Sequence, residues 1–286
     1  MKKIVVTGSN GFIGQSLVTV LKKTGHEVWC LDIAADSNDR RSIQVDFLNA
    51  ENTRTAFERI GNFNTLIHLA AVAHHQKIDS TYDECTVNVE ITKNILNACD
   101  FIEHLIFFSS VAVYGEENQT CPVQPSVPLH PATLYGEGKK QCEKIILESN
   151  HIHKTDILRP APIYDTTHKT DIAKRVYFPK LKLKMAMYPS PSYSFCNIDT
   201  VIDNVLNLIA TPPTGRRVRN LADSLPFRQR DLCREFSGIS IPVFVPFLFP
   251  FYFTLKLLPC SKSYSLRSLF RKLFTNCIYS SDIIEI

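Results

Sequence analysis

Apolar residues along the first half of the chain follow two alternating rhythms. Short, partly β-branched runs occur at 3–7, 27–32, 42–45, 65–69, 104–109 and 155–158, as strands buried on both faces require. Between several of them lie helix-period segments. Residues 12–23 set Ile13, Leu17, Val20 and Leu21 on one stripe, and 83–99 do likewise with Val87, Ile91, Ile95 and Ala98. Strand–helix–strand repetition predicts an α/β fold built on a doubly wound parallel sheet.

Two stretches depart from that rhythm. Residues 121–131 carry Pro122, Pro125, Pro128 and Pro131, and a three-residue proline spacing predicts an extended, polyproline-like loop. Residues 239–258 are rich in aromatics and broken by Pro242, Pro246 and Pro250. Their number approaches the roughly 20 of a membrane span, but three interior prolines and Lys256 argue against a regular spanning helix. A buried or interface segment is the plain reading. The other is a peripheral membrane contact beside basic Lys262, Arg267, Arg271 and Lys272.

Composition narrows the class. With 286 residues, 44% hydrophobic and 21% charged, wholesale disorder and collagen-like structure are excluded. One large domain with a smaller appendage is expected. The net charge of +4 hides an asymmetry: from Thr214 onward 11 Lys and Arg stand against 5 Asp and Glu, and the rest is nearly neutral. No basic, aromatic-interleaved repeat occurs there, so nucleic-acid binding is not expected. The nine cysteines are scattered without a CxxC pair, which fits a reduced cytosol. His74-His75 and His151–His153 lack a third ligand at metal spacing, so no metal is expected. Met1-Lys2-Lys3 leads straight into the first strand with an apolar stretch too short for an export signal, and a cytoplasmic location is expected.

The junction of the first strand and first helix reads Thr7-Gly8-Ser9-Asn10-Gly11-Phe12-Ile13-Gly14. Glycines at 8, 11 and 14 allow a tight turn, approach of a pyrophosphate and close helix–sheet packing. The second strand ends in Asp32, 18 residues past Gly14, close to the roughly 20 of dinucleotide-binding motifs. A carboxylate there accepts hydrogen bonds from the adenosine ribose and repels a 2′-phosphate. No arginine follows it directly, so NAD is favoured over NADP.

Tyr135 and Lys139, four residues apart, share one face of a predicted helix. A phenol is a poor base near neutrality because its pKa is about 10. A neighbouring ammonium and the positive ring of an oxidised cofactor stabilise the phenolate. Upstream, the strand at 104–109 runs into Ser109-Ser110-Val111-Ala112-Val113-Tyr114-Gly115. The C-terminal end of a parallel strand is where such sheets hold ligands, so a Ser110 hydroxyl there is a candidate partner of the substrate oxygen.

With these elements in order, the chain resembles the extended short-chain dehydrogenase/reductase family. Within it, the likeness is to the nucleotide-sugar epimerases, dehydratases and 4-keto reductases of surface-polysaccharide synthesis. Further matching elements are Asp46-Phe47, His68-Leu69-Ala70-Ala71, Asn88-Val89, Leu158-Arg159-Pro160 and the segment 195–200, together about three quarters of the chain. The resemblance implies a Rossmann-type domain over 1–165, with 194–222 returning to it. It implies a smaller C-terminal substrate-binding region formed by 166–193 and 223–286. Gly8, Gly11, Phe12, Ile13, Gly14 and Asp32 would hold NAD, with Asp46 and Phe47 beside the adenine. Leu69, Ala70 and Ala71 would line the path to the nicotinamide ribose, and Pro160 would lie near the nicotinamide. Lys139 would also bind the ribose hydroxyls, Ser110, Tyr135 and Lys139 would be catalytic, and Asn88 would shape its helix. A homodimer through helices at about 80–100 and 133–149 is the family habit.

Tyr135 would take the proton of a sugar hydroxyl, at C4, while that carbon passes hydride to NAD. An epimerase performs both halves of this reaction and a 4-keto reductase one. The dehydratase branch places an Asp-Glu pair after the active-site hydroxyl, where this chain has Val111 and Ala112, so dehydration is disfavoured. The expected reaction is therefore that of an NAD-dependent nucleotide-sugar 4-epimerase or 4-keto reductase, of the UDP-N-acetylhexosamine type. A non-sugar alcohol dehydrogenase, or an idle dinucleotide-binding regulator, is the alternative. The family commonly has an arginine for the diphosphate just before the Phe-x-x-x-Asp segment, where this chain reads Pro191-Ser192-Tyr193-Ser194-Phe195. Arg216, Arg217, Arg228 and Arg230 are the substitutes considered, and His74 is a candidate sugar contact.

Overall fold

Alternate side chains of a strand face opposite sides of a sheet, and the first strand shows what this does here: Val5 faces one core and Ile4 and Val6 the other. In the computed structural model, residues 1–72, 83–115, 121–179, 181–256 and 261–286 are described, without the side chains of 255, 256 and 261–265. The strands are β1 (Lys3–Thr7), β2 (Glu27–Asp32), β3 (Ser42–Gln44), β4 (Thr65–His68), β5 (Ile102–Phe108), β6 (Ile152–Pro160), β7 (Ile163–Tyr164), β8 (Lys184–Tyr188), β9 (Ser192–Tyr193), β10 (Cys196–Asn197), β11 (Arg216–Leu221), β12 (Phe227–Arg228), β13 (Ser240–Phe244) and β14 (Ile283–Glu285). The helices are α1 (Phe12–Lys23), α2 (Ala50–Ile60), α3 (Glu84–Asn97), α4 (Leu134–Glu148), α5 (Thr170–Val176), α6 (Ile198–Ala210), α7 (Gln229–Glu235), α8 (Phe249–Lys256) and α9 (Ser261–Phe274).

Eight strands form one sheet in the order β14-β11-β6-β5-β4-β1-β2-β3. All neighbours are parallel except β14, which runs antiparallel to β11. The order reverses between β1 and β4. That switch point opens a crevice outside the carboxyl ends of the strands, the place where doubly wound sheets take ligands. Helices α2, α3 and α4 cover one face, over Val5, Leu66, Leu105 and Phe107, and α1 and α6 cover the other, over Ile4, Val6, Ile67 and Ile106.

The strand expected at 155–158 extends to Ile152–Pro160 because β5 and β11 pair with it on both sides. The proline loop at 121–131 is anchored: Val123 bridges Tyr279, and a turn closes from Val127 N–H to the Gln124 carbonyl. A second body of chain carries its own small cores, one around Tyr193, Phe195 and Leu232 and one around Met185, Met187 and Val245. The terminal strand β14 leaves that body and pairs with the edge of the large sheet.

Candidate active site

The turn after β1 is held by an N–H of Gly8 donating to the Leu31 carbonyl at 2.8 Å. Gly8 has φ +71°, and a Cβ there would lie 2.7 Å from the Ala70 nitrogen. Only glycine adopts this backbone at such close approach. The helix that follows is built to receive an anion. Helices α2, α3, α4 and α6 are capped by Asn49, Asp83, Thr133 and Asn197 and carry an acidic residue in the first turn. Helix α1 starts at Gly11 with neither a side-chain cap nor a first-turn carboxylate. Its free N–H groups and dipole are thus left for a phosphate.

Asp32 ends β2 beside this turn, one carboxylate oxygen accepting the Asn10 N–H at 2.9 Å. The Asp46 carboxylate accepts the Leu48 N–H, and the Asp46 N–H donates to the Asn52 side-chain oxygen. Phe47 is a core residue of the α2–α3 face, and its carbonyl accepts from the Asn94 amide. Its ring is packed into that core. Asn88 does not simply shape α3: its amide holds both backbone groups of Val72, just past β4. His68 is buried between Thr7 and Thr92 hydroxyls, at 2.9 and 3.1 Å. Burial, with Lys139 nearby, drops its pKa to about 3 and keeps it neutral.

A cavity of about 1220 Å³ opens at the carboxyl ends of the central strands, and Ile13, Leu69, Ala71, Ser110, Tyr135, Lys139 and Pro160 all line it. Ala70 lies behind, its backbone against Gly8. The catalytic candidates meet because two segments approach closely. Ser110 caps a 3₁₀ turn (Val111–Tyr114), accepting the Ala112 N–H at 3.1 Å. A Cβ on Gly136 would lie 2.5 Å from the Ala112 carbonyl oxygen, so α4 can start against that turn only with glycine there. The phenol of Tyr135 then hydrogen-bonds Ser110. One turn on, Lys139 is 3% exposed, donates to the Phe108 carbonyl at 2.8 Å and lies 5.9 Å from the Tyr135 ring.

Electrostatics at this pair are dominated by desolvation. Burial, reinforced by Glu84, pushes the Tyr135 phenol up to about 12, against the pull of its Ser110 hydrogen bond. Burial also brings the Lys139 ammonium down to about 8. Beneath them Glu143, one turn past Lys139, receives Arg159 at 2.9 and 2.7 Å and the Ser109 hydroxyl. Arg159 also donates to the Tyr114 hydroxyl and the Pro125 carbonyl, at 2.8 and 2.9 Å. Removing one partner of such a buried pair costs about 3–5 kcal/mol. Glu143 and Tyr114 were not singled out in the sequence, where a glutamate on an apolar helical stripe was the available signal.

The arginines expected to replace the missing diphosphate ligand divide. Arg216 and Arg217 begin β11 and bond the Ser149 carbonyl and the Asp156 carboxylate. Parallel register pairs Arg216 with Thr155 and Leu221 with Pro160. Pro160 lines the cavity, so both arginines sit roughly 15 Å away, at the opposite end of the sheet. They are not cleft residues. Arg228 is exposed at the start of α7, and neither it nor Arg230 lines the cavity. His74 lies outside the described residues. The cavity's own cations, besides Lys139, are Lys174, Arg175, Lys182 and Lys272.

Arg175 differs from the others. It is 7% exposed, its guanidinium lies 5.2 Å over the Tyr193 ring, and its Nε has no hydrogen-bond partner. Among the described residues no carboxylate pairs with it. The signal was a basic residue on the apolar face of α5, between Ile172 and Val176. No group of His, Cys, Asp and Glu that could hold a metal occurs among the described residues. No helix there is long and apolar enough to cross a membrane.

A model of the NAD dependent epimerase/dehydratase family matches residues 4–180. The chain belongs to that family. It is thus an enzyme of the extended short-chain dehydrogenase/reductase type, with NAD as cofactor, and the uncapped helix α1, Gly8 turn and Asp32 fit that group. Among its relatives at low identity are several nucleotide-sugar 4-epimerases and a 3-beta-hydroxysteroid dehydrogenase. It is 27% identical over 248 residues to a UDP-glucose 4-epimerase of Vibrio cholerae, covering 82% of this chain and 74% of that protein. It is 27% identical over 274 residues to UDP-glucuronate 4-epimerase 4 of Arabidopsis thaliana, covering 81% of this chain and 62% of that one. Among solved structures, the UDP-Glc/GlcNAc 4-epimerase of Campylobacter jejuni superposes with TM-score 0.69 at 18% identity, covering 85% of this chain and 87% of that chain. A Thermus thermophilus UDP-glucose 4-epimerase in complex with NAD gives 0.64 at 19%, covering 94% and 99%. At such identities the structural likeness establishes the fold.

Proposed function

We propose that this enzyme interconverts C4 epimers of a UDP-sugar, of the UDP-N-acetylhexosamine type, in surface-polysaccharide synthesis. The observation that carries the reading is the meeting of Ser110, Tyr135 and Lys139 at one wall of the cavity, beside the glycine turn. NAD, held by the 7–14 turn and Asp32, would supply the acceptor for the C4 hydride and return it. Tyr135 as phenolate takes the C4 hydroxyl proton as that carbon is oxidised and gives it back on reduction. Ser110 donates to the same sugar oxygen and keeps it aligned, and the Lys139 ammonium stabilises the phenolate and reaches the ribose hydroxyls. Val111 and Ala112 line the cavity too, and neither can move a proton, which supports epimerisation over dehydration.

For the substrate diphosphate we infer Arg175. An uncompensated guanidinium is costly to bury unless an anion completes its site, and Arg175 stacks on Tyr193 within the very segment where the family's arginine is missing. A homodimer through α3 and α4 is also proposed. Their outward faces carry Glu90, Lys93, Lys144 and Glu148, so such an interface would be polar and weakened by salt.

The test is proton NMR of UDP-N-acetylglucosamine and UDP-glucose incubated with the enzyme, with and without added NAD. A C4 epimer formed without net cofactor change supports the reading, and Tyr135→Phe should abolish it while leaving NAD affinity within about twofold. Cofactor oxidation only when a UDP-4-keto sugar and NADH are supplied would make the enzyme a reductase. Silence in both assays would turn attention to non-sugar alcohols or a binding role.

A further inference from the structure

Tyr135, Lys139 and Glu143 follow one another at four-residue spacing along α4, so they share one face of it. The proposed reaction uses the first two and leaves a buried carboxylate, 2% exposed, without a task. Glu143 accepts the Ser109 hydroxyl, as Lys139 one turn earlier donates to the neighbouring Phe108 carbonyl. Two contacts about 5.4 Å apart along a helix fix its rotation as well as its distance from the strand, which either alone would not. Ser109 is also held from the other side, its N–H donating to the Leu158 carbonyl at 2.8 Å. Successive residues of extended chain point to opposite sides, and Ser110 is extended, with φ −162° and ψ 151°. Anchoring Ser109 on Glu143 therefore turns the Ser110 hydroxyl to Tyr135, with which it bonds.

Charge gives the same residue a second duty. Lys139, Glu143 and Arg159 are all buried, and Arg159 holds Glu143 through two hydrogen bonds at 2.9 and 2.7 Å. Once the Tyr135 phenol ionises, the series Tyr135, Lys139, Glu143, Arg159 alternates in sign and its charges cancel. Without the Glu143 carboxylate, two buried cations would share one phenolate. Arginine keeps its proton, so Lys139 is the group that would shed one. Burial works against the Lys139 charge, and Cys142 and Glu143 on its own helix work for it. The Cys142 thiol is itself pushed up by burial and uncharged near neutrality. His68 of β4 is neutral, and Glu84 of α3 acts on Tyr135. We propose that Glu143 is a positioning residue of this enzyme, which locks α4 on β5 through Ser109 and keeps the Lys139 ammonium charged. The proposal rests on the reading of Lys139 as the working cation of the reaction.

Glu143→Gln tests it, because the amide keeps an acceptor for Ser109 and for one Arg159 N–H but removes the charge. In carbon NMR of lysine-labelled enzyme, with Lys139→Met identifying the signal, the Lys139 titration midpoint should drop by about one unit or more. The deficit of Glu143→Gln in kcat/KM, which reports the free enzyme, should grow about tenfold from about pH 6 to about pH 9. A simple brace would cost the same factor at every pH. Glu143→Asp, which restores the charge, should flatten the deficit, and Cys142→Ser should not create one. If the broken ion pair unfolds Glu143→Gln, the neutral combination of Glu143→Gln with Arg159→Gln takes its place, with the same shifts expected. An unmoved Lys139 midpoint, a deficit that does not vary with pH, or a Cys142→Ser profile like that of Glu143→Gln would overturn the proposal. A wild type that converts no sugar would sink the epimerase reading instead, and the Lys139 titration would still decide this one.

Discussion

Lys139 donates a 2.8 Å hydrogen bond to the carbonyl of Phe108, the last residue of β5. This bond ties the helix bearing Tyr135 to the strand that leads into Ser110. It also directs a buried ammonium beneath the phenol, so geometry and charge come from one residue.

The ionisation of the pair predicts a pH dependence. In the proposed reaction Tyr135 must be deprotonated to accept the sugar proton, and burial holds its phenol near 12 in the free enzyme, while Lys139 loses its charge above about 8. On the acid side, kcat/KM for the oxidation half should fall tenfold per pH unit as Tyr135 becomes protonated. Lys139→Met removes the charge that favours phenolate, so that limb should move up by about one unit or more. Profiles of the two proteins measured side by side check this, and coincident limbs would contradict the role of Lys139.

Arg175→Ala should raise KM for the nucleotide sugar about ten- to a hundredfold, since a charged hydrogen bond contributes about 1.5–3 kcal/mol, with NAD affinity unchanged. Arg175→Lys should recover part of the loss. Arg217→Ala, at the far end of the sheet, should leave KM alone. Steady-state kinetics on the three variants decide between the cleft cation and the sheet-edge one.

Gly136→Ala should cost most of the activity without touching a catalytic atom. Its Cβ would meet the Ala112 oxygen at 2.5 Å, and relief requires moving α4 from the turn that holds Ser110. A shift of about 1 Å in such groups costs about a hundredfold in rate. Turnover measured beside a circular-dichroism spectrum of a folded variant tests it.

Asp32→Ala should weaken NAD and narrow its advantage over NADP if, as proposed, this carboxylate meets the ribose and repels a 2′-phosphate. Asn10 would also lose its acceptor. Fluorescence titration with both cofactors gives the ratio, and an unchanged preference would rule out the ribose contact.

Local pattern carried a good deal of this protein. Strand and helix periods, the Gly8–Gly14 turn, the acid at the end of β2 and the i, i+4 spacing of Tyr135 and Lys139 are properties of short stretches of chain. The backbone physics that reads them is equally short in range, so the parallel sheet and the dependence on NAD were legible in the sequence. Arg216, Arg217 and Arg175 show where that reading stops. All three are arginines near plausible elements. Parallel pairing of β11 with β6 carries the first two to the far end of the sheet. Packing of α5 on the small core buries the third over Tyr193, in the cleft, where no carboxylate among the described residues pairs with it. Likewise, the aromatic stretch at 239–258 reads as core or as surface until α8 is seated on α9 and two of its rings are left in water. Which end of a sheet a residue occupies, and which face of a helix finds a partner, depend on contacts between segments far apart in sequence. Those contacts exist only once the chain has closed on itself.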